Sequence, residues 1–206
     1  MRPFHMLLAI LVAVIWGVAF VVSKIGLESF TPPQLTALRF LVAAVGVFWL
    51  PRPAVSWKAV LFIGLSVFTG QFLLQFFGIA LGMPAGLTAF VVQSQALFTV
   101  VFAAMMFGDR PTSQQAIGMG VALVGLFVIS LTLNGNVPML AFALTLASAL
   151  SWASGNLVIK RLPKVNMLHL MGWASLVPPV PALLLSFAQD GPGAVSYTHL
   201  TLPTKA

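Results

Sequence analysis

The sequence has no cysteine, one tyrosine (Tyr197), three histidines (His5, His169 and His199) and three acidic residues (Glu28, Asp109 and Asp190) among 206 positions. Without cysteine there is no disulfide and no thiolate metal site. Three carboxylates and three histidines leave almost no material for hydrolytic chemistry. His5 and His169 lie beside basic residues with no second metal ligand near them, so neither a metal nor another cofactor is expected. No Gly-x4-Gly-Lys-Ser/Thr loop occurs, which excludes an ATP-driven pump built from this chain alone. Charge of either sign is scarce: Asp, Glu, Lys and Arg make up 6% of residues, against roughly 25% in a soluble domain. That is too little to keep a water-facing surface of this size dissolved.

What fills the chain instead is hydrocarbon. Sixty per cent of residues are hydrophobic, and the mean hydropathy is +1.05. The expected class is an all-α membrane protein, a multi-span helical bundle whose first partner is the lipid bilayer. The net charge of +7 forms no basic stripe; the Lys and Arg stand singly or in threes between apolar runs, so nucleic acid is not an expected partner.

Charges and prolines mark the spans. The run 6–23 is uncharged and predicts a first helix over about 6–26, long enough to cross a core of roughly 30 Å. It is long for a signal peptide and more spans follow it. A second helix is expected from Pro33 to Leu50, between Thr31-Pro32-Pro33 and Pro51-Arg52-Pro53. The fifty uncharged residues from Ala59 to Gly108 hold two spans, split near Gly78–Pro84. The 49 from Pro111 to Ile159 hold two more, split at Asn134-Gly135-Asn136-Val137-Pro138. A seventh covers roughly 168–188. With the N-terminus inside, Arg2, Arg52, Lys58, Arg110, Lys160, Arg161 and Lys164 are internal, against Lys24 and Arg39 outside. This bias sets a cytoplasmic N-terminus.

Two stretches resemble each other. Trp16 stands eight residues before Lys24 near the end of the first span, and Trp152 eight before Lys160 near the end of the sixth. Five helices separate the copies, so they enter the membrane in opposite senses, as in the inverted repeats of many secondary transporters. The expected division is a first repeat at 1–135, the start of a second at 136–190, and a tail at 195–206. That tail includes Ser196-Tyr197-Thr198-His199-Leu200 and reads like a translated sequencing-library adapter, hence non-native, the alternative being an ordinary polar loop.

Polar side chains within spans are the candidate site, because burying them against lipid costs several kcal/mol each. Gln71 and Gln75 lie four apart, on one helix face. Gln93 and Gln95 are about 200° apart on a regular helix, whereas Thr88, Gln95 and Thr99 share a face, which favours Gln95 as cavity-lining. Each glutamine equally suits an interhelical hydrogen bond. Amides match a zwitterionic ligand, donating to its carboxylate and accepting from its ammonium. Trp16, ten residues into its helix, is too deep for an interfacial anchor and is either core or cavity wall. Asn156, four beyond Trp152, is the corresponding polar group of the second repeat. Arg39 is read as an outer-edge anchor able to snorkel, with a gating or anion-binding role as the alternative. Gly118, Ala122 and Gly125 predict close helix packing, and Pro178, Pro179 and Pro181 a kink or a break near the seventh span's end. No Asp or Glu falls within a confident span, so no intramembrane proton relay is visible.

Over residues 6–189 the sequence resembles the EamA-type transporters of the drug/metabolite transporter superfamily. The resemblance rests on Trp16-Gly17 with Phe20 and Lys24, Pro32-Pro33 with Leu38-Arg39-Phe40, and Gly82-Met83-Pro84-Ala85-Gly86-Leu87. Phe107-Gly108-Asp109-Arg110 (where the family usually has Gly-Glu-Arg), Gly118 with Gly125, and Ser151-Trp152-Ala153-Ser154-Gly155-Asn156 complete it. It implies an inner-membrane secondary transporter, not an enzyme, with ten helices in two inverted five-helix repeats. Such a carrier exports small polar metabolites of the cysteine and O-acetylserine type by alternating access. Seven of those ten helices would be present here, with the second repeat truncated, and homodimerisation stays open. The competing class is a non-transporting membrane protein or a channel or assembly subunit.

Overall fold

The computed structural model describes residues 3–132 and 137–190. The expected turn residues Asn134-Gly135-Asn136 and the expected tail at 195–206 lie outside these. Every regular element among the described residues is helical. Seven helices are long and apolar enough to cross a membrane: α1 (Phe4–Gly26), α2 (Pro32–Trp49), α3 (Trp57–Ala80), α4 (Ala85–Phe107), α5 (Ser113–Leu131), α6 (Met139–Arg161) and α7 (Met167–Gln189). They are the seven spans expected from the spacing of charges and prolines.

Their ends have local causes. Pro32 and Pro33 occupy the first turn of α2, and the Thr31 N–H donates to the Gln34 side chain at 3.1 Å. Ser56 Oγ accepts from the Ala59 N–H at the start of α3, and Asn166 Oδ1 accepts from the Leu168 N–H at the start of α7. Gly108 closes α4 at φ +70°, a conformation open to glycine and costly for other residues.

Four helices depart from regularity within their spans: α2 ends in a 3-10 stretch, Val45–Trp49, and three others change inside the membrane. In α3, Gly64–Gly70 is wound as a π-helix. In α4, the regular turns stop at Val92 and restart at Gln95. In α7, Met167–Ala174 is followed by a new helix at Pro179–Asp190. The α7 prolines therefore interrupt the span near its middle, which agrees with a kink and not with a break near its end, the two expectations for them. Lacking N–H groups, Pro178 and Pro179 cannot continue the first segment but suit the opening turn of the second, where the Ala182 N–H donates to the Pro178 carbonyl at 3.0 Å.

The core lies along the crossing of α3 with α6 and α7. Ile63, Val67, Leu170 and Ala174 are buried together there. Glycines let the backbones meet: a Cβ on Gly155 would run into Val67 and lie 2.6 Å from Ser66 Oγ, and one on Gly78 would lie 2.5 Å from Thr145 Oγ1. Ser151 Oγ crosses this seam to donate to the Ser66 carbonyl at 2.8 Å, inside the π-helical stretch. The same carbonyl also accepts from the Gln71 N–H of its own helix, so Ser151 adds an interhelical donor to a bonded group.

Outside the seam the surface is apolar. Phe48 is 87% exposed and Trp49 77%, a surface that water would not tolerate over so much of a monomer and lipid does. α5 is the extreme: none of its apolar window is buried. A Cβ on Gly118, Gly120 or Gly125 would meet nothing within 4 Å. The close packing expected at Gly118, Ala122 and Gly125 is therefore not made. A groove of about 430 Å³ runs between this face and α4.

Candidate functional site

A cavity of about 630 Å³ lies between α1, α2, α3, α4, α6 and α7, within the 300–1,000 Å³ range of small-molecule sites. Its wall is mostly aliphatic and aromatic, interrupted by the amides of Gln71, Gln75, Gln93 and Gln95, the hydroxyls of Ser23 and Ser175, and the guanidinium-bearing Arg39. The polar groups are few, and Arg39 is the only charged residue among those lining it.

The π-helical stretch of α3 ends where Gln71 begins a regular segment. From there the four-residue spacing does what the sequence predicted: Gln71 Nε2 donates to Gln75 Oε1 at 2.6 Å, and both residues are buried. The bond is made within one helix, not between two. Gln71 Oε1 is left buried with no hydrogen-bond partner. A buried amide acceptor without a partner costs roughly 1–3 kcal/mol.

α4 departs from the expectation. The preference for Gln95 over Gln93 assumed an unbroken helix, but Gln93 and Ser94 form a turn between two helical segments. Rotation per residue no longer holds across it, and both glutamines reach the cavity. Gln95 Nε2 lies 3.4 Å from Gln93 Oε1, while Gln95 Oε1 is buried and unpartnered. Gln93 is thus a lining residue that helical periodicity rejected. The signal for it was Gln93-Ser94-Gln95 itself, three consecutive polar residues inside a span, as expected where backbone at membrane depth leaves the helix to line a cavity.

Trp16 stands on the cavity wall, and Trp152 faces the same space from α6. Asn156 does not line it. Its Nδ2 donates to Thr99 Oγ1 at 3.2 Å, and Thr99 Oγ1 donates to the Gln95 carbonyl at 2.7 Å. Next to Gly155, which is packed against α3, Asn156 is turned toward α4 and ties α6 to the turn that carries Gln95. Thr88, on the expected face with Gln95, donates to the Pro84 carbonyl of its own helix at 3.0 Å and does not line the cavity.

Arg39 lines the cavity and is also exposed at the bundle surface, a place open both to the outer-edge anchor and to the gating or anion-binding role. Its guanidinium stands 4.5 Å from the centroid of Phe72. Phe72 in turn contacts Phe40 and Phe76 edge-on, with centroids 5.2 and 5.7 Å away. Among the described residues Arg39 forms no ion pair; the one found joins Lys160 to Asp109, away from the cavity. The Phe107 ring lies beside that pair, 4.2 Å from the Arg161 guanidinium carbon. This cluster fastens the end of α4 to the end of α6, where the basic residues that set the topology gather.

Seven apolar helices, six of them around a largely apolar cavity with a few polar side chains, define a multi-span membrane carrier. The chain belongs to the EamA-like transporter family, whose profile matches residues 3–131. It is 40% identical over 202 residues, 95% of the chain and 68% of the relative, to a Salmonella typhimurium LT2 protein named "Probable amino-acid metabolite efflux pump". The figures are the same for an Escherichia coli K12 protein of that name. A Bacillus subtilis 168 protein, an "Uncharacterized transporter", is 28% identical over 203 residues, covering 94% of the chain and 66% of the relative. No solved structure matches the chain. It is a membrane transporter and not an enzyme.

Proposed function

We propose that this protein exports small amino-acid-like metabolites, of the cysteine and O-acetylserine type, across a bacterial inner membrane by alternating access. On this reading the N-terminus is cytoplasmic and two inverted repeats, starting near residues 1 and 136, share the cavity. Gln71, Gln75, Gln95 and Trp16 contact the substrate, and Asn156 acts through Thr99 to hold the Gln95 turn. The observation that carries the proposal is the convergence of Gln71, Gln75, Gln93 and Gln95 on one cavity, where Gln71 Oε1 and Gln95 Oε1 are left without a hydrogen-bond partner. An ammonium group has the donors they lack. Neutral amides also let a ligand leave, as a carrier requires, where a desolvated ion pair at every contact would hold it. The names of the Salmonella and Escherichia relatives support an amino-acid metabolite as cargo.

The test is export of O-acetylserine and cysteine by cells expressing the full-length gene, against vector and against Gln71→Ala and Gln95→Ala at matched expression. Wild type is expected to raise the external pool and each variant to lower it several-fold. Unchanged export in both variants overturns the site, and no export by wild type overturns the substrate class. Reporter fusions at Asn136 and Lys164 test orientation, with Asn136 expected outside.

A further inference from the structure

We infer that Arg39 is the receptor for the substrate's carboxylate, so that the carrier selects molecules bearing a free carboxylate over the corresponding esters and amines. The inference rests on the amino-acid reading above and adds which end of the ligand goes where. Three observations carry it. Arg39 is the single charged side chain on the cavity wall, with no acid lining the same space. It has no ion-pair partner among the described residues, although the cavity is otherwise mostly apolar and a cation there raises the local attraction for an anion. Its guanidinium is held over Phe72, which is itself braced by Phe40 and Phe76.

The guanidinium makes no hydrogen bond to the protein among the described residues, which leaves its N–H donors for a carboxylate, and a planar fork meets that group with two parallel hydrogen bonds. Phe72 follows directly on Gln71, a lining residue of the same cavity whose Oε1 has no hydrogen-bond partner. A zwitterion therefore finds a cation from α2 and, on α3 next to the ring that holds that cation, an amide whose oxygen can turn to its ammonium. The cavity has one fixed positive charge and no fixed negative one, so its preference falls on the carboxylate end. An amine without a carboxylate would meet Arg39 as a like charge.

The test uses full-length protein purified in detergent, with thermal stabilisation by O-acetyl-L-serine and by its methyl ester titrated at pH 6, where both amines are protonated. Glycine and methylamine serve as a second acid/amine pair. Wild type is expected to bind each acid at least about tenfold more tightly than its esterified or decarboxylated counterpart. Arg39→Gln is expected to erase that ratio by weakening the acid alone. Arg39→Lys, which keeps the charge but not the planar fork, should leave an intermediate ratio and covers the case in which Arg39→Gln does not fold. A ratio unchanged in Arg39→Gln or Arg39→Lys, or equal binding of acid and ester by wild type, overturns the inference. Preferential binding of glycine over methylamine together with no export of cysteine-type metabolites supports Arg39 while overturning the substrate class proposed above. Failure of every carboxylate to bind overturns both.

Discussion

The α3–α6 seam and helix α5 are built from similar residues and used in opposite ways. Both are glycine-containing, apolar and uncharged over most of their length. In the seam, glycines at 78 and 155 sit where a Cβ would collide with the facing helix, and Ser151 bonds across to α3. In α5, Gly118, Gly120 and Gly125 face open space. Composition alone does not separate the two, because lipid is as apolar as a leucine side chain and gives helices no hydrophobic reason to associate. Fit and polar contacts separate them, and two of the cavity's amides, Gln71 and Gln75, are carried by the seam helix α3. α1 is intermediate: little of it is buried, yet Trp16 gives it one face on the cavity.

The contrast breaks most readily at glycine. Gly155→Leu is expected to abolish a folded, monodisperse detergent-extracted protein, since overpacking costs typically 1–3 kcal/mol and here the obstacle includes the Val67 side chain and Ser66 Oγ of a packed helix. Gly120→Leu, with nothing nearby, should shift the melting temperature by no more than a degree or two. Size-exclusion profiles and melting curves of the two variants decide the point. Equal behaviour would mean that the seam is no tighter than α5.

A smaller effect, opposite in sign for stability and function, is expected at the cavity edge of the seam. Gln71→Met removes the unpartnered acceptor while roughly keeping volume. Stability should hold or rise by up to about 1 kcal/mol, although the bond to Gln75 is lost as well. Affinity for an amino-acid ligand should fall about tenfold. Parallel melting and ligand titration on one preparation would show it. A fall in both quantities would make Gln71 a structural residue. Ser151→Ala follows in size, with an expected loss of about 0.6–1.7 kcal/mol, the range measured for interhelical hydrogen bonds in membranes.

The sequence reading reached some of these features and missed others for identifiable reasons. The spans were legible because charges, prolines and glycines collect where the chain leaves hydrocarbon. The Gln71–Gln75 pair was legible because an i,i+4 relation survives in any regular helical segment. The position of Gln93 was not, since it depends on a break in α4 that periodicity assumes away. The surroundings of Asn156 and Arg39 were not legible, because they come from other helices: Thr99 of α4 for one, Phe72 of α3 for the other. The face of Gly118, Ala122 and Gly125 carried a packing signature with no neighbour to satisfy it. One-dimensional patterns report which face of a helix differs, and not which helix stands opposite.

The smallest expected effect lies at the membrane-boundary end of the same bundle. Lys160 and Asp109 pair across α6 and the α4–α5 connection, but both side chains are half exposed. Exposed pairs are worth about 0.2–1 kcal/mol and are screened by salt. Lys160 also lies 5.4 Å from the Phe107 ring centroid, and Arg161 holds the same ring at 4.2 Å, so loss of one cation leaves the other in place. Lys160→Gln should therefore lower the melting temperature by a few degrees at most, with the difference from wild type shrinking as salt is raised. A large, salt-independent loss would show that this peripheral contact carries stability comparable to the seam, and the division between a tight interior and a loose periphery would have to be redrawn.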